Sequence, residues 1–315
     1  MKAVLCQSDG ISVIEKPAPL GEGVLVRVAA CGICGSELSY LKHGLSMSVT
    51  PGHEISGTLS DGTAVAIEPL LPCGECELCL AGARHLCVRG PGMIVGIAHD
   101  GGMAEMLRVP ESSLVRLPAG LDLRSASLVE PLAVGIHGMA RARLLPGERV
   151  LIVGGGTIGL LAAVAARARG GEVDLFVRHE AQREAAAQLG LRVVDRVEGT
   201  WPVVVDAAGT QSALDLCAAA VRPGGRLVAL AVYWDGLNFP DLTFALREVD
   251  VLPASLYNSQ AGVRDVDAAA ALLARATRIG RALITHRFPL DAAAEAFRTA
   301  ADRGAGAIKV VLEPG

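Results

Sequence analysis

The chain is 315 residues long, 51% hydrophobic and 20% charged, which is the balance of ordinary folded domains and a length that suits two of them. A net charge of −4 and an aromatic content of 3% exclude a reader of phosphate backbones, because there is no cationic field to draw nucleic acid and few rings on which bases would stack. The apolar run after Met1 and Lys2 stops at Cys6, and the longest one, Leu151 to Ala166, falls short of the roughly 20 residues of a spanning helix, so no membrane association is expected and a cytoplasmic protein is.

Residues 1 to 120 alternate apolar and polar side chains, as at Val24, Val26 and Val28, between turn signals such as Asp61-Gly62 and Pro118-Ala119-Gly120. This predicts an antiparallel, strand-rich domain. Inside it, Cys34 in Cys31-Gly32-Ile33-Cys34-Gly35-Ser36-Glu37 and the pair His53 and Glu54 supply thiolate, imidazole and carboxylate, a mixture that suits zinc. A redox Cys-x-x-Cys pair is the other reading of Cys31 and Cys34, but that chemistry belongs beside a βαβ unit, and Cys31 reads as packing.

Cys73, Cys76, Cys79 and Cys87 follow as Cys-x2-Cys-x2-Cys-x7-Cys. Four thiolates at this spacing converge on one tetrahedral ion and leave it no open position, which predicts a structural zinc ordering a segment too polar to fold by packing. Free or oxidised thiols, an iron–sulfur cluster and a nucleic-acid zinc ribbon are the competing readings. Glu75 and Glu77 oppose the last.

Beyond Ser125 short all-apolar runs appear at Val150 to Val153, Val173 to Val177, Val203 to Val205 and Leu227 to Val232. They are interleaved with alanine-rich helical stretches at Thr157 to Arg169, Ala181 to Leu189 and Gln211 to Val221; further helices are predicted at Val266 to Thr277 and Asp291 to Ala301, and a last strand at Ile308 to Leu312. The alternation predicts a parallel sheet. At its entry Glu130 adds a carboxylate, so sulfur, nitrogen and one oxygen can fill three positions around a zinc and leave the fourth to water or substrate.

After the run Val150 to Val153 comes Gly154-Gly155-Gly156-Thr157-Ile158-Gly159, a Gly-x-Gly-x-x-Gly between strand and helix. Gly154 permits the turn, Gly156 lets the backbone approach a pyrophosphate, Thr157 and Ile158 open the helix, and Gly159 lets it lie against the strand. A carboxylate about 20 positions on would hold the ribose of NAD. Arg178 stands there instead, with His179 and Arg183 close by, which favours NADP over NAD; Glu180 is the carboxylate that would reverse this if the strand ended two residues later.

These motifs, with Asp100-Gly101-Gly102-Met103-Ala104-Glu105 and Glu130-Pro131-Leu132-Ala133-Val134-Gly135-Ile136-His137, run in one order along the entire chain. The whole resembles the zinc-dependent medium-chain dehydrogenase/reductase superfamily, specifically its sorbitol and threonine dehydrogenase-like branch. The resemblance implies an α/β protein with a GroES-like, β-rich catalytic domain at residues 1–126 and 259–315, which bears the structural zinc lobe at 73–87, and a Rossmann doubly wound parallel sheet at 127–258, with the active site in the cleft. It implies a catalytic zinc on Cys34, His53 and either Glu54 or Glu130, and a homodimer or homotetramer. The chain departs from the pattern in being short between Cys34 and His53 and between Glu54 and Cys73, and in carrying Arg178 where NAD-dependent polyol dehydrogenases have an acid.

The expected reaction moves hydride between a secondary alcohol (polyol, sugar alcohol, cyclitol or amino alcohol), or its ketone, and a nicotinamide cofactor. Zinc acidifies the alcohol, and Ser36, two residues beyond Cys34, relays its proton. Helix capping is the plain alternative for Ser36. A zinc-independent quinone or enoyl reductase and a non-catalytic dinucleotide-sensing protein are the rival functions.

Overall fold

Residues 1–8, 10–238 and 242–315 are described by the computed structural model. Their contacts divide the chain into two units, Met1–Glu130 with Asn258–Gly315, and Pro131–Tyr257. The first unit begins with an antiparallel pair, β1 (Lys2–Gln7) and β2 (Gly10–Glu15). In β3 (Val24–Gly32) the alternation read from the sequence turns Val26 and Val28 inward and leaves Arg27 exposed. A helix absent from the sequence reading follows, α1 (Gly35–Lys42), then β4 (Glu54–Thr58), β5 (Ala64–Ile67), the one-turn α2 (Glu77–Leu80), β6 (Met106–Val109) and β7 (Leu114–Arg116). The division between the units falls within α3 (Val129–Arg141), whose first turn holds Glu130.

The second unit runs β8 (Arg149–Val153), α4 (Thr157–Ala168), β9 (Glu172–Phe176), α5 (Glu180–Gln188), β10 (Arg192–Val193), β11 (Trp201–Asp206), α6 (Gln211–Ala220), β12 (Val221–Ala229), α7 (Leu242–Ala245) and β13 (Asp250–Pro253). All neighbours pair parallel in the order β10-β9-β8-β11-β12-β13, which is the doubly wound order that reverses between the first and fourth strands. Leu160 to Ala166 of α4 are all buried, the alanines keeping that helix thin enough to lie on the sheet. Where the sequence predicts a strand from Leu227 to Val232, the observed one starts at Val221 and stops at Ala229. Val221 pairs with Trp201 and Arg226 with Val203, so residues 222–225, which include Pro223-Gly224-Gly225, bulge out of the ladder.

The chain returns to the first unit through β14 (Ser259–Gln260), β15 (Val263–Arg264), α8 (Asp265–Arg275), α9 (Arg278–Leu283), β16 (Ile284–Pro289), α10 (Ala293–Ala301) and β17 (Lys309–Glu313). The helix predicted from Asp291 opens instead with a 3-10 turn over Leu290–Ala292, and α10 then buries Ala293, Ala296 and Phe297. Burying a side chain the size of Phe297 contributes about 1.5–3 kcal/mol. The seven-stranded sheet has the order β16-β17-β3-β4-β5-β7, with β6 also on β3. Its core includes Val26, Val28, Ile55, Ile67, Met103, Leu107, Phe297 and Leu312. Two registers matter below: Leu312 opposite Cys31, and Gly32 opposite Glu54. Among the described residues no helix is long and apolar enough to cross a membrane.

Candidate active site

Between the end of β3 and the start of α1, Cys34 takes an extended backbone (φ −91°, ψ 154°) and caps the helix. Glu37 stands three residues on, at the position from which a carboxylate reaches back to the cap: its Oε2 accepts from Cys34 N at 2.7 Å. Its Oε1 faces His53 Nδ1 at 3.1 Å, which orients the ring and leaves Nε2 as the ligand nitrogen. The register of β3 and β4 brings Glu54 to the same place, and a Cβ on Gly32 would overlap Glu54 Oε2. One donor atom each of Cys34, His53 and Glu54 thus lies within 4.8 Å of the others. Glu130 is buried but is not part of that group.

Behind Glu54 lies a buried cation. Lys309, the first residue of β17, donates to Glu54 Oε1 at 2.7 Å and to the Ile33 carbonyl at 2.9 Å. Burial would depress its pKa, but Glu54 and Cys34 outweigh this and raise it. His53 behaves likewise: burial opposes its protonation, and the charges of Glu37 and Cys34 hold its pKa well above the usual value. Glu130 is pushed up to about 7, chiefly by burial, with His53 opposing and Glu54 adding to the rise. Lys309 Nζ also stands 2.7 Å from Glu54 Oε2, so both oxygens of that carboxylate face the ammonium, while the buried Ser36 Oγ has no hydrogen-bond partner. The charges that raise the His53 pKa, those of Glu37 and Cys34, favour a cation at this place, and a sulfur, nitrogen and oxygen donor set selects zinc. The residues fit that ion.

The loop that carries His53 is tied down by a second segment. Gly101 N donates to Thr50 O at 2.7 Å, Gly102 N to Gly52 O at 2.9 Å and Met103 N to Pro51 O at 3.0 Å. Asp100 Oδ1 accepts from Thr50 N at 2.9 Å, and Lys16 Nζ pairs with the same carboxylate at 2.7 Å. A Cβ on Gly101 would overlap Gly52 O, so the two backbones lie together only because a glycine stands there.

The four cysteines of the lobe also converge, with Sγ to Sγ separations of 3.9 Å for Cys73 and Cys79 and 3.6 Å for Cys73 and Cys87. Four thiolates bound tetrahedrally at about 2.3 Å from one zinc stand about 3.8 Å apart, whereas a disulfide needs about 2.05 Å. Backbone N–H groups of Val88 and Cys79 draw Cys76 down to about 6, and those of Cys73 and Arg89 lower Cys87, while burial holds Cys79 up at about 12. The cluster fits a zinc ion that supplies the charge needed to ionise all four.

In the second unit, Gly154 takes φ +113° directly after β8, and a Cβ on Gly159 would overlap its carbonyl. Nothing lies within 4 Å of where a Cβ of Gly156 would be, so a ligand can approach that backbone. Thr157 and Ile158 form the first turn of α4. Arg178 follows β9, exposed, and its Nη2 donates to Ser212 Oγ at 3.1 Å. His179 is exposed beside it. Arg183 points elsewhere and pairs with Asp195 at 2.8 Å.

Comparison with known proteins identifies the family. Residues 21–119 match the alcohol dehydrogenase GroES-like domain and residues 157–275 the zinc-binding dehydrogenase domain. L-galactonate-5-dehydrogenase of Escherichia coli is 30% identical, covering 94% of this chain and 94% of its own. Sorbitol dehydrogenase of Gallus gallus is 30% identical over 94% of this chain and 91% of its own. This chain belongs to the zinc-dependent medium-chain dehydrogenase/reductase superfamily, in its sorbitol dehydrogenase-like branch. Among solved structures, a candidate zinc-binding dehydrogenase of Sinorhizobium meliloti bound to NADP is 30% identical and superposes with a TM-score of 0.87, covering 99% of each chain. The dehydrogenase is an NAD(P)-linked alcohol oxidoreductase, with a GroES-like catalytic fold and a Rossmann sheet.

Two residues of this dehydrogenase's site escaped the sequence reading. Glu37 carried a legible signal, since Cys34-x-x-Glu37 is spaced like a capping box. Lys309 carried none, being 255 residues from Glu54.

Proposed function

We propose that this dehydrogenase oxidises a secondary carbinol of a polyhydroxylated substrate, a sugar alcohol, cyclitol or sugar acid, or reduces the corresponding ketone, with NADP(H) favoured over NAD(H). The observation that carries the reading is the meeting of the half-buried Cys34 with the buried His53 and Glu54 within 4.8 Å. These three would hold a catalytic zinc, and Cys73, Cys76, Cys79 and Cys87 a structural one. Glu54 is favoured over Glu130 as the oxygen ligand because it offers an oxygen within 4.8 Å of the Cys34 and His53 donor atoms and Glu130 is not part of that group. The similarity to L-galactonate and sorbitol dehydrogenases supports the substrate class. The exposed Arg178 and the NADP-bound relative support the cofactor. A cytoplasmic, self-associating enzyme belongs to the same proposal, the eight unpaired thiols suiting a reducing compartment.

When bound, zinc supplies Lewis acidity to the substrate oxygen, and the nicotinamide accepts or returns hydride. Around that chemistry the chain's own groups have separate tasks. Glu37 fixes the His53 ring, Lys309 holds Glu54, and Ser36, half-buried with an unengaged hydroxyl one residue past Gly35, takes the substrate proton and passes it outward. Gly154, Gly156, Thr157, Ile158 and Gly159 receive the pyrophosphate.

The test combines zinc counting with NADP⁺ and NAD⁺ reduction over a panel of sugar alcohols, sugar acids and simple secondary alcohols. Two zincs per chain and turnover of polyhydroxylated alcohols are expected. One zinc or none, with no turnover of any alcohol, refutes the site. Glu54→Gln that still holds two zincs moves the ligand role to Glu130.

A further inference from the structure

We propose that Ser212 sets cofactor choice by positioning Arg178, as an uncharged anchor that aims the guanidinium without neutralising it. The inference depends on the NADP(H) reading above and deepens it.

Arg178 follows β9 and Ser212 lies in the first turn of α6, after β11. In the sheet β8 stands between those strands. At about 4.8 Å per strand, the contact between Arg178 Nη2 and Ser212 Oγ bridges roughly 10 Å over the carboxyl end of β8. That is the strand whose loop, Gly154 to Gly159, is shaped for a pyrophosphate, at the point where the strand order reverses. A dinucleotide on that loop places its adenosine ribose at the end of β9, so its 2′ oxygen falls beside the Arg178 side chain.

The chemistry of the anchor decides what the arginine can do there. Among the described residues Arg178 has no carboxylate partner, in contrast to Arg183, whose charge is taken up by Asp195. The Ser212 hydroxyl accepts from Arg178 at 3.1 Å and shares a hydrogen bond with Thr210 Oγ1 at 3.3 Å. Thr210 is itself fixed, accepting from Ala213 N as the cap of α6. A guanidinium held this way keeps its full charge and its remaining N–H groups for a phosphate dianion. An aspartate at position 212 would hold the arginine equally well and cancel it.

The experiment measures binding of 2′,5′-ADP and 5′-AMP to the intact protein by calorimetry, a readout independent of turnover and of zinc, together with KM for NADP⁺ and NAD⁺. Ser212→Ala is expected to weaken 2′,5′-ADP about three- to tenfold, because the guanidinium keeps its charge and loses only its anchor, and to leave 5′-AMP unchanged. Ser212→Thr keeps the hydroxyl and binds both like the wild type. Ser212→Asp loses more than about tenfold for 2′,5′-ADP, as expected when a charged hydrogen bond to the anion is removed. Arg178→Ala loses at least as much. If Arg178→Ala weakens 2′,5′-ADP while Ser212→Ala and Ser212→Asp do not, the role of Ser212 is overturned and the NADP(H) reading stands. If Ser212→Ala weakens both nucleotides equally, the residue is structural and the proposal is likewise overturned. If the wild type binds 5′-AMP as tightly as 2′,5′-ADP, the NADP(H) reading itself fails.

Discussion

Replacing Lys309 by methionine removes the ammonium behind Glu54 and keeps most of the aliphatic stem. The two side chains are 4% and 1% exposed and 2.7 Å apart, so the carboxylate is left charged in a place water does not reach. Breaking a buried pair from one side costs about 3–5 kcal/mol. At about 2–4 °C per kcal/mol, the metal-free variant melts roughly 6–20 °C below metal-free wild type. Zinc offsets the stranded charge, so the difference narrows when both proteins are loaded. Glu54→Gln on top of Lys309→Met removes the charge that the lysine served and recovers at least about 2 kcal/mol, since replacing both members of such a pair is far milder than replacing one. Thermal melts of wild type and both variants followed by circular dichroism, with and without zinc, measure these differences. A metal-free single variant melting within about 2 °C of wild type, or a double variant no more stable than the single, refutes the assignment of Lys309 as the counter-charge.

Gly101→Ala forces a Cβ against the Gly52 carbonyl and displaces the loop of His53; the protein is expected to carry one zinc fewer per chain while the four-cysteine zinc stays, by elemental analysis. Ser36→Ala lowers turnover about a hundredfold or more with zinc content and cofactor affinity retained, and unchanged turnover at saturating substrate removes Ser36 from the proton path. Asp100→Asn gives a pH-dependent effect of known sign. Burial works to raise the Asp100 pKa, and Lys16 with Thr50 N more than offset it, so it sits below 3.8. The stabilisation is therefore complete above pH 3.8 and lost as pH falls through the lowered value. The pair is half exposed, so the difference between wild type and variant is at most about 1 kcal/mol at neutrality, and acid titration followed by circular dichroism should find it vanishing at low pH.

What could be read in advance follows from how local each signal is. The cysteine lobe closes within 15 residues, and the spacing of Cys73, Cys76, Cys79 and Cys87 was itself the geometry. Gly154 to Gly159 was legible for the same reason. Helix α3 was not read, because Pro131, Gly135 and Gly138 are residues that weaken or interrupt a helical pattern in sequence. Arg183 was grouped with Arg178 by sequence proximity, but a helix of 3.6 residues per turn sends it toward Asp195, while Ser212, 34 residues away, reaches the arginine across the sheet. Pairing between distant strands decides such contacts, and no short window of sequence contains it.

The placement of Lys309 has a consequence for biosynthesis. Cys34, His53 and Glu54 leave the ribosome early, and the ammonium that balances them follows 255 residues after Glu54, about 13–50 s later at ordinary elongation rates. Throughout that interval the nascent chain displays nucleophilic sulfur and surplus negative charge without the strand that shelters them. Metal delivered during translation would meet a donor set still lacking its final wall, and cells starved of zinc would be left with newly made polypeptide whose most vulnerable moment precedes its release.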